Sequence, residues 1–280
     1  MLLAAFLFSL MSVAVKYAAQ GFTSAELVMY RGLIGVLMMA SLLRMQGVSL
    51  RSPVPGMHAW RSVVGVISLW GWFYSIAQLS LATATTLNFM SSVWLGALFA
   101  FGALMRGQVH RLLPLLCAVL AGFVGVALVL QPTLAHDQWL AGLVGLLSGL
   151  LAGWAYMLVS ALGRAGEPES RTVFYFALGT AIGGALASMV QGLSAWTWPA
   201  ALWLLPVGVL ASLGQWCMTR AYTQGATLVV ASLQYSGVIF AVLFGVLLFE
   251  ESLVWQGWLG MALIIASGIA ATAWQKRAAA

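Results

Sequence analysis

The sequence predicts an all-α integral membrane protein of ten transmembrane helices in two inverted five-helix repeats, and three observations predict it. First, 62% of the 280 residues are hydrophobic and only 6% charged, whereas a soluble domain covers itself with about 25% charged residues. Second, breaks at charge clusters and at Gly/Pro/Ser-rich turns leave ten apolar segments of nearly the length, roughly 20 residues, that crosses a bilayer. Third, a stretch of the chain recurs five segments later. A closed barrel would instead show short alternating segments.

The first span, 2–19, begins MLLAAFLFSL with no basic stretch, and Lys16 interrupts where a cleavage site would fall. It is expected to be a spanning helix and not a signal peptide. The second, 24–43, opens near Glu26 and carries Arg31 about two turns in. In the third, 59–79, Trp70, Tyr74 and Gln78 recur every fourth residue and share a face, with Trp72 on another. The fourth, 83–105, has a polar stripe of Thr85, Asn88 and Ser92, followed by Trp94. The fifth is 111–131. The sixth, 139–162, offers Trp154 and Tyr156, which cannot share a face. The seventh is 171–191. The eighth, 199–218, carries Ser212, Gln215, Trp216 and Thr219; the ninth, 227–248, carries Gln234 and Tyr235; the tenth is 254–274.

Charge orients these spans. With the N-terminus inside, the inner loops and tail hold Arg44, Arg51, Arg106, Arg111, Arg164, Arg171, Arg220, Lys276 and Arg277, with Arg61 at an inner helix edge. The outer loops hold no Lys or Arg, while Asp137, Glu250 and Glu251 lie outside. Both termini are therefore expected in the cytoplasm. The net charge of +6 marks cytoplasmic loops and implies no nucleic acid. Cys117 and Cys217 lack CxxC spacing and are expected to be buried packing residues, with no disulfide. His58, His110 and His136 are expected in loops, so neither a metal site, a cofactor nor a catalytic constellation is expected.

The recurring stretch is SLWGWFYSIAQLSLAT at 68–83 and SLGQWCMTRAYTQGAT at 212–227. Extending the alignment gives about 12 identities in 60 positions, against roughly 6 for so biased a composition. Five spans separate the copies, and five is odd, so they point in opposite directions. Arg220 then ends at the inner side and its mate Ile76 at the outer side. Inverted repeats of this kind serve alternating access in many secondary transporters.

The run LATATTLNFMSSVWLGALFAF, echoed by GATLVVASLQYSGVIFAVLFGVLLFEE, resembles the EamA-type drug/metabolite transporter superfamily, and the resemblance covers essentially the whole chain. It implies two EamA-like repeats, 1–133 and 138–275, around a central cavity near the bilayer midplane. Members move amino acids, vitamins, nucleotide sugars and other metabolites. Two departures stand out. Where the family commonly has a Pro in the fourth helix of each half, this chain has Ser91-Ser92 and Ser236-Gly237, so any kink must come from Gly/Ser softening. The family's Gly-Glu at the end of that helix is Gly107-Gln108 here and Glu250-Glu251 in the second half.

Intramembrane charge is costly and marks function first. Lys16, Glu26 and Arg31 are candidates for a gate or ion pair, and Arg31 for a carboxylate anchor; the alternative is snorkelling to the outer interface. Spans three to ten hold no ionisable group at mid-membrane, which favours uniport or exchange over proton coupling. Trp70, Tyr74, Gln78, Asn88, Ser92, Trp94, Trp154, Tyr156, Gln215, Trp216, Gln234 and Tyr235 are the candidate solute-binding residues. Each amide among them needs an interior partner, from substrate or from a neighbouring helix. Rings and amides suit a neutral, zwitterionic or aromatic solute, amino acids above all. The expectation is amino-acid export by alternating access across a bacterial inner membrane, as monomer or weak dimer. The alternatives are proton-coupled transport of a vitamin, nucleoside or metallophore-like solute, a channel, or a membrane enzyme.

Overall fold

The structure is a computed structural model and describes residues 1–79, 81–105, 109–131, 138–249 and 255–279. Helices follow one another along it, with no strand among the described residues: α1 Leu2–Ala18, α2 Ser24–Met45, α3 Pro55–Gln78, α4 Leu81–Leu104, α5 Val109–Leu130, α6 Trp139–Arg164, α7 Glu169–Gln191, α8 Trp198–Ala201, α9 Leu204–Gln224, α10 Thr227–Gln234, α11 Ser236–Phe249 and α12 Trp255–Ala279. Among the described residues, seven stretches are long and apolar enough to cross a bilayer: Ser24–Met45, Leu113–Leu130, Trp139–Arg164, Glu169–Gln191, Trp198–Gln224, Thr227–Leu248 and Trp255–Trp274. The chain is a multi-pass helical membrane protein. Arg106, Gly107, Gln108, His136, Asp137, Glu250 and Glu251 lie outside the described residues, as do the side chains of Ile76, His110, Arg111, Lys276 and Arg277.

Two compact units form: Met1, Leu3–Val66 and Leu158–Gln224 make one, and Leu2, Ile67–Met157 and Gly225–Ala280 the other. The division runs through α3 and α6, so each unit draws on residues from both 1–133 and 138–275.

In the first unit, glycines let α2 and α7 touch backbone to backbone. A β-carbon on Gly32 would overlap the Ala181 backbone, and one on Gly184 would overlap that of Met29. Helix α9 joins through Gly208, where a β-carbon would come within 2.5 Å of the Ile34 side chain. Without a hydrophobic drive between helices in lipid, such close approach is what dispersion can reward. The end of α1 packs Ala14 and Ala18 with Phe22, Leu27, Leu204 and Val207, and Tyr17 stacks on Trp203 with centroids 4.6 Å apart.

Two helices of this unit end alike. After α2, Gly47 takes a positive φ of 66°, and after α6, Gly166 takes one of 77°. Val48 N–H reaches back to the Leu43 carbonyl (2.9 Å), as Glu167 N–H does to Leu162 (3.1 Å). Both are glycine-terminated Schellman caps, in which an L side chain at the glycine would be strained.

In the second unit, α5 and α12 meet at Gly125 and Gly260. A β-carbon on either would lie 2.7 or 2.5 Å from the other's carbonyl oxygen. Gly145, Gly149 and Gly153, one turn apart on α6, lie against Leu87 and Ser91 of α4. Tyr235, fully buried, packs with Val126, Val238, Met261 and Ile264. The positions Ser91-Ser92 and Ser236-Gly237 behave differently. Helix α4 runs unbroken through Ser91-Ser92, whereas the ninth expected span breaks at Tyr235, between α10 and α11. There Ser232 Oγ donates to the Val229 carbonyl (2.9 Å) and Ser236 Oγ to Leu233 (2.7 Å), back-bonding that bends a helix. The expected span 199–218 also begins with the single turn α8 and extends to Gln224.

Candidate functional site

In the first unit, α2, α7 and α9 leave a small recess lined by Arg31, Phe176, Thr180, Ser212 and Gln215 among the apolar Val173, Ala177 and Ala211. Its volume, about 10 Å³, admits one water-sized group. Arg31 sits about 10 Å along α2 from Ser24. Phe176 and Thr180 are one turn apart on α7, as are Ala211 and Gln215 on α9, so each helix turns one face to the recess. Gln215 is 6% exposed, and among the described residues its Nε2 has no hydrogen-bond partner. Thr180 Oγ1 donates to the Ala177 carbonyl (2.9 Å) and Ser212 Oγ to that of Gly208 (2.7 Å). The Arg31 guanidinium lies 6.0 Å from the centre of the Phe176 ring.

Arg61, in the second turn of α3, is 3% exposed, and its guanidinium lies 3.5 Å over the same Phe176 ring. A buried cation on an aromatic face regains part of its lost hydration from the ring's quadrupole.

Glu26 also has a definite job. Its carboxylate accepts from Thr23 N–H and Oγ1 (2.7 and 2.9 Å) and from Ser194 N–H and Oγ (2.8 and 2.7 Å). With Thr23 Oγ1 accepting from Glu26 N–H, this is a capping box at the start of α2, extended to the loop before α8. Lys16 is exposed in the last turn of α1, where a cation suits the helix dipole.

His58 was expected in a loop; it lies in the first turn of α3 and is 1% exposed. Its Nε2 is 3.0 Å from Glu167 Oε2, which also accepts from Arg171 Nη1 at 3.0 Å, while Glu167 Oε1 accepts from Ser52 Oγ at 2.7 Å. An ionised carboxylate only accepts, so His58 carries its proton on Nε2. Arg171 Nε donates to the Ser49 carbonyl (2.9 Å) and Tyr175 OH to that of Leu50 (2.9 Å). The α2–α3 loop is thereby latched to the start of α7. The sequence signal was Gly166-Glu167-Pro168, a helix stop and a helix start flanking an acid.

The remaining expected residues divide between the units. In the first, Trp216 takes Arg220 over its ring at 5.8 Å, which gives the extra arginine of the second copy a local partner. In the second, Trp70 and Tyr74 are 45% and 43% exposed with Gln78 exposed on the same face. Asn88, Trp94 and Tyr156 are part-buried and Trp154 exposed. Ser92 is buried, and its Oγ donates to the Ala231 carbonyl (3.0 Å). Gln234 and Tyr235 are buried, and Tyr235 meets Phe89 edge-on at 6.0 Å. Cys117 is exposed and Cys217 part-exposed, both free, so the packing role fails for Cys117; a thiol is apolar enough for a helix's outer face. Among the described residues no cluster of His, Cys, Asp and Glu suits a metal ion.

The family model described as EamA-like transporter family matches residues 139–272. A pseudopaline exporter of Pseudomonas aeruginosa is 34% identical over 258 residues, covering 89% of this chain and 86% of its own. The chain belongs to the EamA-like transporter family. A riboflavin transporter of Rhizobium johnstonii is 28% identical over 275 residues, covering 96% of this chain and 88% of its own. One crystal structure shares the fold at TM-score 0.84 and 18% identity, covering 99% of this chain and 96% of that one. As an EamA-like protein the chain is a membrane transporter and not an enzyme, with a small-molecule solute to carry.

Proposed function

We propose that this transporter exports a small zwitterionic or aromatic metabolite, amino acids first, across a bacterial inner membrane by alternating access. The observation that carries the reading is the convergence of Arg31, Thr180, Ser212 and Gln215 on one recess part-way along three helices. A polar set at that depth in a transporter is where a solute leaves water. The ten-span, inverted arrangement with both termini cytoplasmic is part of the same proposal. It is supported by the pairings α2 with α7 and α5 with α12, the second and fifth spans of each half, which both close on glycines. The ring and amide residues Trp70, Tyr74, Gln78, Asn88, Trp94, Trp154, Tyr156, Gln234 and Tyr235 stay solute-contacting candidates of the second unit, with Ser92 holding α10. Trp216 would stand beside the recess. Lys16 and Glu26 would act on the outer entrance.

The test is counterflow in liposomes preloaded with unlabelled L-amino acids and offered labelled ones. Saturable exchange that ignores pH and sodium gradients is expected. No exchange with any of them removes the amino-acid reading, and strict dependence on a proton gradient removes uniport and exchange. A second reading, proton-coupled transport of a vitamin-, nucleoside- or metallophore-like solute, draws on the relatives named for pseudopaline and riboflavin.

A further inference from the structure

The lining of the first unit's recess holds a guanidinium, a primary amide and two hydroxyls, with no carboxylate among its residues. Its donors and acceptors are sorted. Gln215 Nε2 is buried and donates to nothing among the described residues, a costly state that a ligand oxygen would relieve. Thr180 and Ser212 have committed their hydroxyl protons to the Ala177 and Gly208 carbonyls, which leaves their oxygens free to accept. Two guanidiniums approach the Phe176 ring, Arg31 at 6.0 Å and Arg61 at 3.5 Å, so this part of the unit favours negative charge. A neutral solute would gain little from that potential, and a cation would be repelled by it.

We propose that the recess is a carboxylate-binding subsite. Arg31 and Gln215 donate to the carboxylate oxygen that enters the recess. The planar guanidinium matches a carboxylate's two oxygens. A recess of about 10 Å³ takes one of those oxygens, so the rest of the solute lies outside it and is not read there. The inference rests on the transporter reading and narrows it: the solute carries a free carboxylate, as α-amino acids do. An anionic lipid headgroup shares the anion chemistry, but Arg31 stands about two turns in from the helix end.

The purified full chain is melted in neutral detergent with acetate, succinate, L-glutamate or L-phenylalanine at constant ionic strength, each paired with its amide. Counterflow of the same compounds is measured in liposomes of phosphatidylcholine alone and with added phosphatidylglycerol. At least one carboxylate is expected to raise the melting temperature where its amide does not. Arg31→Gln is expected to weaken that effect about 10- to 100-fold in concentration, the scale of a lost charge-assisted bond. Gln215→Leu tests the site if the arginine variant fails to fold, and Gln215→Glu should abolish carboxylate selectivity by supplying its own. Carboxylates and amides acting alike on the wild type overturn the inference, as does a difference that survives both Arg31→Gln and Gln215→Leu. An effect that phosphatidylglycerol abolishes assigns the recess to lipid and overturns it too. Carboxylate-selective melting without amino-acid counterflow leaves the subsite standing and removes the amino-acid reading.

Discussion

Replacing Glu167 with alanine should cost more stability than any substitution at an exposed charge. The carboxylate accepts three hydrogen bonds, from Ser52, His58 and Arg171, and the side chains of His58, Glu167 and Arg171 are 0%, 1% and 10% exposed. Alanine leaves the Arg171 charge and the His58 imidazole buried and facing each other. Breaking a buried pair in this way costs about 3–5 kcal/mol, or roughly 10 °C in melting temperature for a chain of this size. The pH dependence has a definite sign. Burial pushes the Glu167 carboxyl up, but hydrogen bonds from Ser52, His58 and Arg171 outweigh it and hold it below the usual value. Burial lowers the His58 imidazole, against the pull of Glu167. In both cases the unfolded chain binds protons more readily than the folded one, so stability is lost as the pH is lowered. The loss begins near about pH 6.5, as unfolded His58 charges, and continues below about pH 4.3 as Glu167 is protonated. Thermal melts by tryptophan fluorescence across pH 4–8 measure both effects. A Glu167→Ala melting temperature within about 2 °C of wild type at neutral pH, or a wild-type melt that rises on acidification, would refute the latch.

Gly32→Leu should prevent α2 from meeting α7 and abolish the monodisperse protein on size exclusion, because the added atoms meet the Ala181 backbone, which cannot turn aside. Gly47→Leu, where nothing lies within 4 Å of an added β-carbon, should cost only the strain of its positive φ, about 1–2 kcal/mol, and still yield folded protein. Trp154→Ala and Asn88→Ala should each raise the half-saturation concentration for the transported solute about tenfold; unchanged affinity in both removes the second unit's residues as solute-contacting candidates.

What the sequence made legible was whatever depends on composition and period. Apolar runs marked helices to within a few residues, and the fourfold spacing of Trp70, Tyr74 and Gln78 correctly put them on one face. Contacts between distant segments were illegible. Arg61 reads only as a charge near a helix end, because nothing near it in sequence announces that the fold brings Phe176 beneath it. His58 reads as a loop residue for the same reason, since Glu167 lies 109 positions away. Glu26 carried a partial signal: Thr23-Ser24-Ala25-Glu26 has capping-box spacing, yet nothing near it announces Ser194. The recess was half visible. Arg31 and Gln215 stand out as polar residues in apolar helices, whereas the role of Thr180 follows from α7 meeting α2 at glycines.

The break at Tyr235 shows why the chain parts just before Ser236-Gly237 and not at Ser91-Ser92. In an unbroken helix the Ala231 carbonyl would accept from the N–H four residues on, at Tyr235. Here that N–H turns to the Ser232 carbonyl instead (3.4 Å), and Ala231 is left with an acceptor inside the membrane. Ser92 Oγ of α4 fills it at 3.0 Å. The hydroxyl expected to meet solute therefore caps a broken helix, and in the unbroken α4 this serine bonds outward and not to its own turn. The neighbouring Ser91 Oγ has no hydrogen-bond partner among the described residues. Ser92→Ala should then destabilise by about 1–3 kcal/mol, the cost of an unsatisfied buried carbonyl, and Ser91→Ala should be near neutral. Equal effects of the two substitutions on the melting temperature would mean that Ser92 does not hold the break, and that α10 and α11 part for reasons internal to their own sequence.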